Sequence, residues 1–354
     1  MQIHAPGQLI EGRYEINAFI GEGGMQQVYL ARDTRLSRDV ALKVPKNPSA
    51  EKRFKRSASL SARVTHPNVA KTLDYFEASS NQYLIEEFIA GSDLQKRWDS
   101  DFIHLDPYLA SHFIHHAVRA VAASHRVDVV HRDLKPSNIM VSDDADLRVL
   151  KITDFGIAKM AEEELAAAVS GGESTITTSQ TMFGAIPYMS PEMITDPRTA
   201  GKPADVWALG AMLYQMLSGN PPYGRGLPAV PKILTQPLPP RPTVCDKAQF
   251  QPLLSDLWTL CESCLVKDPS QRPTAEALVS ECGRLCYSTA PRSVGYVRQY
   301  GRGNGAWGFI NSGGDVFFHW DSVYGASISS GLRVSFTAFG GGAAPRAHPV
   351  LPLK

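Results

Sequence analysis

The stretch HRDLKPSN, His131 to Asn138, constrains this 354-residue chain more than any other. It sets an aspartate, a lysine and an asparagine two and three residues apart, and sixteen residues after the asparagine comes DFG, Asp154 to Gly156. A carboxylate to receive a hydroxyl proton, a cation for a transferring phosphate, and an amide plus a carboxylate for Mg²⁺ are the parts that phosphoryl transfer needs. The residues before this stretch can be read as holding a nucleotide, and many of those after it as holding the acceptor. The last sixty or so residues have a different pattern.

Length alone suggests two or three units at roughly 150 residues each. A formal net charge of +1 gives no evidence for a globally basic surface that coats nucleic acid, so any such site must be local. No apolar run reaches the ~18 residues of a membrane span. The start, MQIHAPGQLIEGRYE, lacks a basic-then-apolar leader. The expectation is a cytoplasmic chain with no membrane partner. Five cysteines, all between Cys245 and Cys286, argue against a disulfide framework. Cys261, Cys264, Cys282 and Cys286 have spacings that hint at zinc, but they fall in helix-patterned segments, where buried free thiols are the better reading.

Residues 12–46 alternate apolar and polar around glycines, which predicts strands and hairpins. In GEGGMQQVYLA, Gly21, Gly23 and Gly24 let the backbone approach phosphate oxygens, with Ile20 and Val28 flanking them. Lys43 emerges from the short apolar strand VALK. Residues 50–64 carry a helical pattern, stopped at His66-Pro67-Asn68. A longer helix runs from Pro107 to His125; His112 and His116 lie four apart on it, with no third metal ligand in view.

Taken in order, GEGG, VALK, HRDLKPSN, DFG, SPE (Ser190 to Glu192), DVWALG (Asp205 to Gly210) and Arg272 in KDPSQRP resemble a bacterial, Hanks-type serine/threonine protein kinase over about residues 10–285. The resemblance implies an α+β, two-lobed protein-kinase fold, with a β-rich lobe over about 10–90 and a helical lobe over 91–285. It implies ATP and Mg²⁺ as cofactors, and a protein partner that offers a Ser or Thr acceptor. By the same resemblance Asp133 is the catalytic base, Lys135 neutralises the transferred phosphate, and Asn138 and Asp154 hold Mg²⁺ through oxygen. Lys43 holds the α- and β-phosphates, and Glu87 and Ile89 lie in the hinge that meets adenine through backbone groups. Glu192 and Arg272 form an ion pair, and Asp205 braces the catalytic loop. Arg132 implies a phosphorylated partner, and Ser174, Thr175, Thr177, Thr178, Ser179 and Thr181 are the candidates for autophosphorylation.

Three positions depart from that pattern. Gln26 replaces the third glycine of the phosphate loop, Ser57 stands where the helix glutamate that pairs with the strand lysine is expected, and Ala185 replaces a threonine near the catalytic loop. Glu86 falls at the back of the adenine pocket, usually apolar or threonine. A buried carboxylate must pair or protonate, so either Glu86 partners Lys43 or it turns to solvent.

From Gly295 the tail alternates aromatics with small or polar residues. It resembles a cold-shock domain, a small all-β OB-type barrel, over about residues 293–350, joined by a linker at 286–292. AWGFI and VFFHW stand at the family's two ribonucleoprotein motifs, and Gln299 replaces a tryptophan. The resemblance implies single-stranded RNA or DNA stacking on Tyr300, Trp307, Phe309, Phe317, His319 and Trp320; the alternative is that the rings fill the barrel or meet the kinase-like lobe. Two functions remain: an active kinase with a nucleic-acid-binding tail, or a weakly active or inactive, ATP-responsive regulator whose tail does the work.

Overall fold

A computed structural model describes residues 2–23, 26–46, 48–78, 81–155, 183–301, 306–325 and 327–354, without the side chains of 48–50, 52 and 53. At the N-terminal end, six strands form one antiparallel sheet in the order β1-β2-β3-β4-β6-β5: β1 Leu9–Ile10, β2 Tyr14–Glu22, β3 Gln26–Asp33, β4 Arg38–Pro45, β5 Thr72–Ala78 and β6 Asn81–Glu87. Alternation sends Tyr14, Ile16, Tyr29, Val40, Leu42 and Ile85 into one apolar layer. Helix α1 (Pro48–Ser61) lays Phe54 and Ala58 against Leu84 of β6.

The second lobe is helical. A short sheet, β7 (Ser92–Asp93), β8 (Ile139–Val141) and β9 (Leu150–Ile152), lies beside helix α2 (Leu94–Ser100). Helix α3 (Pro107–Arg126) begins with Asp106, whose carboxylate accepts from the Tyr108 and Leu109 amides, and with proline at its first position. The core of the lobe surrounds α5 (Lys202–Ser218), which comes after the single-turn α4 (Pro191–Thr195) and is buried on nearly every side. Its apolar all-round sequence is what such a position requires. It stops at Gly219, whose φ of 88° is the left-handed conformation that favours glycine. Helices α6 (Ala229–Thr235), α7 (Leu253–Cys264) and α8 (Ala275–Cys282) complete the lobe.

Five strands then close into a barrel in the order β10-β11-β12-β14-β13: β10 Ser293–Gly301, β11 Trp307–Asn311, β12 Asp315–His319, β13 Arg333–Phe339 and β14 Arg346–Pro352. Strands β12 and β14 pair in parallel and the others antiparallel, the arrangement of an OB-like barrel. Val297, Ile310, Phe318, Val334, Phe336 and Val350 fill it. Gly308 must be glycine: a Cβ there would lie 2.2 Å from the Gln299 carbonyl and 2.8 Å from the Phe318 ring.

The barrel and the helical lobe share a core. Tyr324, Leu351 and Leu353 belong to the same apolar cluster as α3 and α5. The Tyr324 hydroxyl donates to the Leu217 carbonyl at 2.9 Å, and Leu353 bridges to Phe102. The Lys354 amide donates to the Asp101 carbonyl at 2.9 Å. Arg292, in the segment that enters the barrel, forms a buried ion pair with Asp106 at 2.7 Å.

Candidate active site

The catalytic stretch lies between the end of α3 and β8, and it is held from below by Asp205 of α5. The Asp205 carboxylate accepts from the His131 amide (2.9 Å), the Arg132 amide (2.8 Å) and His125 Nε2 (2.8 Å). Burial works against its charge, but His125 and these donors hold its carboxyl below the usual range. Arg132 and Asp154 have φ near 63° and 60°, a conformation costly for side-chain-bearing residues, and it persists because of such contacts.

Asp133, Lys135 and Asn138 meet in one cluster. Lys135 Nζ is 2.9 Å from Asp133 Oδ2. Asn138 Nδ2 donates to the Asp133 carbonyl at 2.7 Å and to its Oδ2 at 3.0 Å. These bonds spend the amide nitrogen of Asn138 and leave its Oδ1 as an oxygen ligand. The backbone of Thr153 is tied to Asn138 through an N–H···O bond of 2.9 Å, so Asp154 sits beside the cluster.

Across the cleft, Lys43 Nζ lies 2.6 Å from Glu86 Oε2 and 2.9 Å from Asp154 Oδ1. The register fixes this meeting: Ala41 faces Glu86 and Lys43 faces Leu84 across the β4–β6 pair, with Val28 opposite Lys43 on the other side. Burial opposes the Lys43 charge, but the two carboxylates outweigh it and raise its pKa. Burial pushes the Glu86 carboxyl up, only partly offset by Lys43, whereas at Asp154 the Lys43 and Gln26 contacts overcome burial and lower it. One ammonium against two carboxylates leaves a surplus negative charge. With oxygen donors on Asn138 and Asp154, that fits a hard divalent cation such as Mg²⁺.

A model of the protein kinase domain matches residues 14–282. The chain belongs to the protein kinase family. Among its relatives are the probable serine/threonine-protein kinase PknB of Corynebacterium glutamicum, 31% identical over 294 residues and covering 78% of this chain and 43% of that protein. The serine/threonine-protein kinase PknB of Mycobacterium tuberculosis is 32% identical over 279 residues, 74% of this chain and 41% of that protein. This kinase chain therefore spans less than half the length of the curated relatives it matches. No helix among its described residues is long and apolar enough to cross a membrane.

The other expected kinase positions spread along the sheet and the helical lobe. Ile20 and Gly21 lie on β2 and Val28 on β3, with Gly21 opposite Val28. Gly23 donates its amide to the Gln26 carbonyl at 2.9 Å, and Gly24 lies outside the described residues. The side chain of Glu87 bonds to Lys151 at 2.7 Å and its amide donates to the Lys71 carbonyl at 2.9 Å; Ile89 is buried. Arg272 grips Glu192 with two bonds of 2.7 and 2.8 Å and holds that carboxyl below its usual range in spite of burial. The candidates from Ser174 to Thr181 lie outside the described residues.

Two contacts had no signal in the sequence. The Gln26 amide reaches Asp154 Oδ1 at 2.8 Å, and Ser57 Oγ donates to the Phe155 carbonyl at 2.6 Å. Each joins residues about a hundred or more positions apart, beyond the reach of any local pattern.

On the barrel, Trp307 and Phe309 of β11 stand beside His319 and Phe317 of β12. Ring centroids are 5.8 Å apart for Trp307–Phe309 and for Phe309–Phe317, and 6.3 Å for Trp307–Phe317. Two expected members of this face belong elsewhere. A bulge between Val297 and Gln299 puts Tyr300 opposite Gly308, on the inner side, where it stacks on Phe318. Trp320 comes just after the end of β12 in a short 3₁₀ turn, and Lys247 of the helical lobe sits 3.7 Å above its ring. Alternation predicts a face only while the strand stays regular. Arg346, opposite both Phe317 and Phe339, and Phe339 itself extend the outer face onto β14 and β13.

Proposed function

We propose that this chain is a serine/threonine kinase that transfers the γ-phosphate of ATP to a protein hydroxyl, with a kinase unit over about 10–285 and a barrel over about 293–350. The observation that carries this is the Asp133–Lys135–Asn138 cluster facing the Lys43–Asp154 pair across one cleft. Asp133, fixed by Asn138, receives the proton as the acceptor hydroxyl attacks the γ-phosphorus; the bond to the β–γ bridging oxygen breaks and ADP leaves. Lys135 stabilises the negative charge of the transferring group, and Lys43 orients the α- and β-phosphates. Asn138 and Asp154 would hold Mg²⁺, which would supply the positive charge that the phosphate oxygens need. Labelled ATP with Mg²⁺ and a Ser/Thr-rich substrate protein tests this: incorporation by the native chain that Asp133→Ala abolishes is expected, and equal labelling of both refutes it.

We also propose autophosphorylation between Ser174 and Thr181, motivated by Arg132 beside the base. Mass spectrometry after incubation with ATP should find phosphate there; its absence from an active preparation rejects the site.

The outer face of the barrel supports a second activity, binding of single-stranded nucleic acid. Trp307, Phe309 and Phe317 offer adjacent rings at spacings suited to successive bases, with Arg346 for the backbone. Trp307→Ala or Phe317→Ala should weaken binding of a labelled single-stranded oligonucleotide by ~1–3 kcal/mol each. Tyr300→Phe should leave it unchanged. No measurable binding by the native chain would reject the reading.

A further inference from the structure

The phosphate loop and the metal-binding segment are joined by a side chain that has no counterpart in a glycine-rich loop. Gln26 is buried at the base of the β2–β3 turn, 8% exposed, and its Nε2 donates to Asp154 Oδ1 at 2.8 Å. Its backbone is fixed within β3, opposite Pro45 of β4. Lys43 Nζ reaches the same oxygen at 2.9 Å. The second oxygen, Oδ2, accepts from the Thr153 hydroxyl at 3.2 Å. One residue on, the Phe155 carbonyl accepts from Ser57 of α1, and the Phe155 ring packs 4.7 Å from His131.

Asp154 needs such support. Its φ of 60° is unfavourable for a residue with a Cβ, so neighbours must hold it there. Two donors hold Oδ1, and the preceding residue, Thr153, donates its amide to the Asn138 carbonyl at 2.9 Å, so the carboxylate is held beside Asn138. A carboxylate already oriented loses less freedom when it takes a cation, the usual benefit of support around a ligand.

We propose that Gln26 is a positioning residue for the divalent-cation site: through Asp154 Oδ1 it presents Oδ2 to the metal, and it links occupancy of that site to the position of the phosphate loop. This rests on the reading of Asp154 as a metal ligand in the kinase reaction. A glycine at this position would leave the loop free of the metal site; glutamine couples the two.

The test is a titration of Mg²⁺, and separately of Mn²⁺, into the full chain with a fluorescent ATP analogue, so that the readout is binding and not turnover. Gln26→Met keeps length and burial and removes the donor. A lost hydrogen bond to a charged group corresponds to roughly a tenfold change, so Gln26→Met should need about tenfold more metal for half-maximal enhancement of nucleotide binding. Its affinity for the analogue in EDTA should match that of the native chain, which also shows that the variant is folded. Gln26→Gly should behave the same way. An unchanged metal midpoint overturns the proposal, as does a lowered one, which would mean that the amide competes with the metal. A loss of affinity of the same size in EDTA would make Gln26 a nucleotide contact and also overturns it. Asp154→Asn separates the two levels: if it leaves the metal dependence intact, the reading of Asp154 is what fails; if it abolishes the dependence while Gln26→Met does nothing, only the role of Gln26 fails.

Discussion

Replacing Glu86 with glutamine tests the least expected pairing in the cleft. Glu86 and Lys43 are nearly inaccessible, 3% and 6% exposed at the side chain, and 2.6 Å apart. At an effective dielectric of about 20, two unit charges ~3 Å apart attract by roughly 5 kcal/mol. Desolvation of both groups takes back much of this. Asp154 contributes a second carboxylate, so one ammonium faces two anions. Glu86→Gln removes the surplus charge and keeps the volume, so global stability should move by less than about 1 kcal/mol. The functional effect should be larger. Glu86 holds Lys43 from a strand neighbour, and its loss leaves Asp154 as the remaining charged partner of Lys43. A hydrogen bond to a charged group contributes about 1.5–3 kcal/mol, which is roughly ten- to a hundredfold in kcat/KM. Steady-state phosphorylation kinetics over a range of ATP concentrations, with thermal denaturation in parallel, measure both quantities. A kcat/KM within twofold of the native value would refute the pairing as a functional contact. A large drop in Tm without a kinetic change would make Glu86 a structural residue only. The double variant Ser57→Glu, Glu86→Met, which moves the carboxylate to helix α1, should recover part of the lost kcat/KM.

Two further expectations concern the rest of the chain. Arg292→Ala strips the partner from Asp106, which is itself inaccessible, so denaturant unfolding should show a loss of about 3–5 kcal/mol; a change under about 1 kcal/mol would mean that the ion pair does not fasten the barrel. His116 is held neutral by burial and by His112 and His115, its pKa lowered from the ordinary 6.5 to about 4. Between those two values the unfolded chain binds a proton that the folded chain refuses, so stability is lost as pH falls from 6.5 towards 4. His116→Gln should therefore lose less Tm between pH 7 and pH 5 than the native protein, and equal losses would exclude His116 as a source of acid lability.

The candidate site was legible as a cluster because its residues are carried by short, contiguous stretches. The residues from Asp133 to Asn138 fall on one loop, so spacing alone brings them together, and Asp154 comes one strand pair later. Helix α3 was legible from its periodicity over Pro107 to His125. The barrel was legible from alternation up to the point where alternation breaks: the bulge in β10 moves Tyr300 inward, and the sequence carries no mark of it. The docking of the barrel was readable only as an alternative for the rings, of which Trp320 does meet Lys247 of the helical lobe. Tyr324, Leu351 and Leu353 have the composition of any strand or turn in a small barrel, yet they complete the core of the helical lobe. Such complementarity depends on shape across the fold, which no local window contains.

The departures from the kinase pattern gain their meaning from where they meet. If the helix glutamate had simply been lost, the buried Lys43 would keep the Asp154 carboxylate but have no second anchor on its own lobe. Instead Glu86 has entered from the adjacent strand, Gln26 contacts the same Asp154 oxygen as Lys43, and Ser57, at the vacated helix position, holds the next backbone carbonyl. Glu86, Gln26 and Ser57, far apart in the sequence, therefore converge on Lys43, Asp154 and Phe155. The relocation also changes what can control the site. A glutamate on α1 pairs with the strand lysine only while the helix is close, so movement of the helix can break the pair. Glu86 is fixed in register with Ala41, two residues from Lys43 on the same strand, and a shift of α1 leaves that pair intact. What α1 can still release is the Ser57 bond to Phe155. Control through this helix would then act on the segment that carries Asp154 and not on the lysine; with Asp154 as the proposed metal ligand, Ser57→Ala should alter the metal dependence of nucleotide binding while the contribution of Lys43 stays the same.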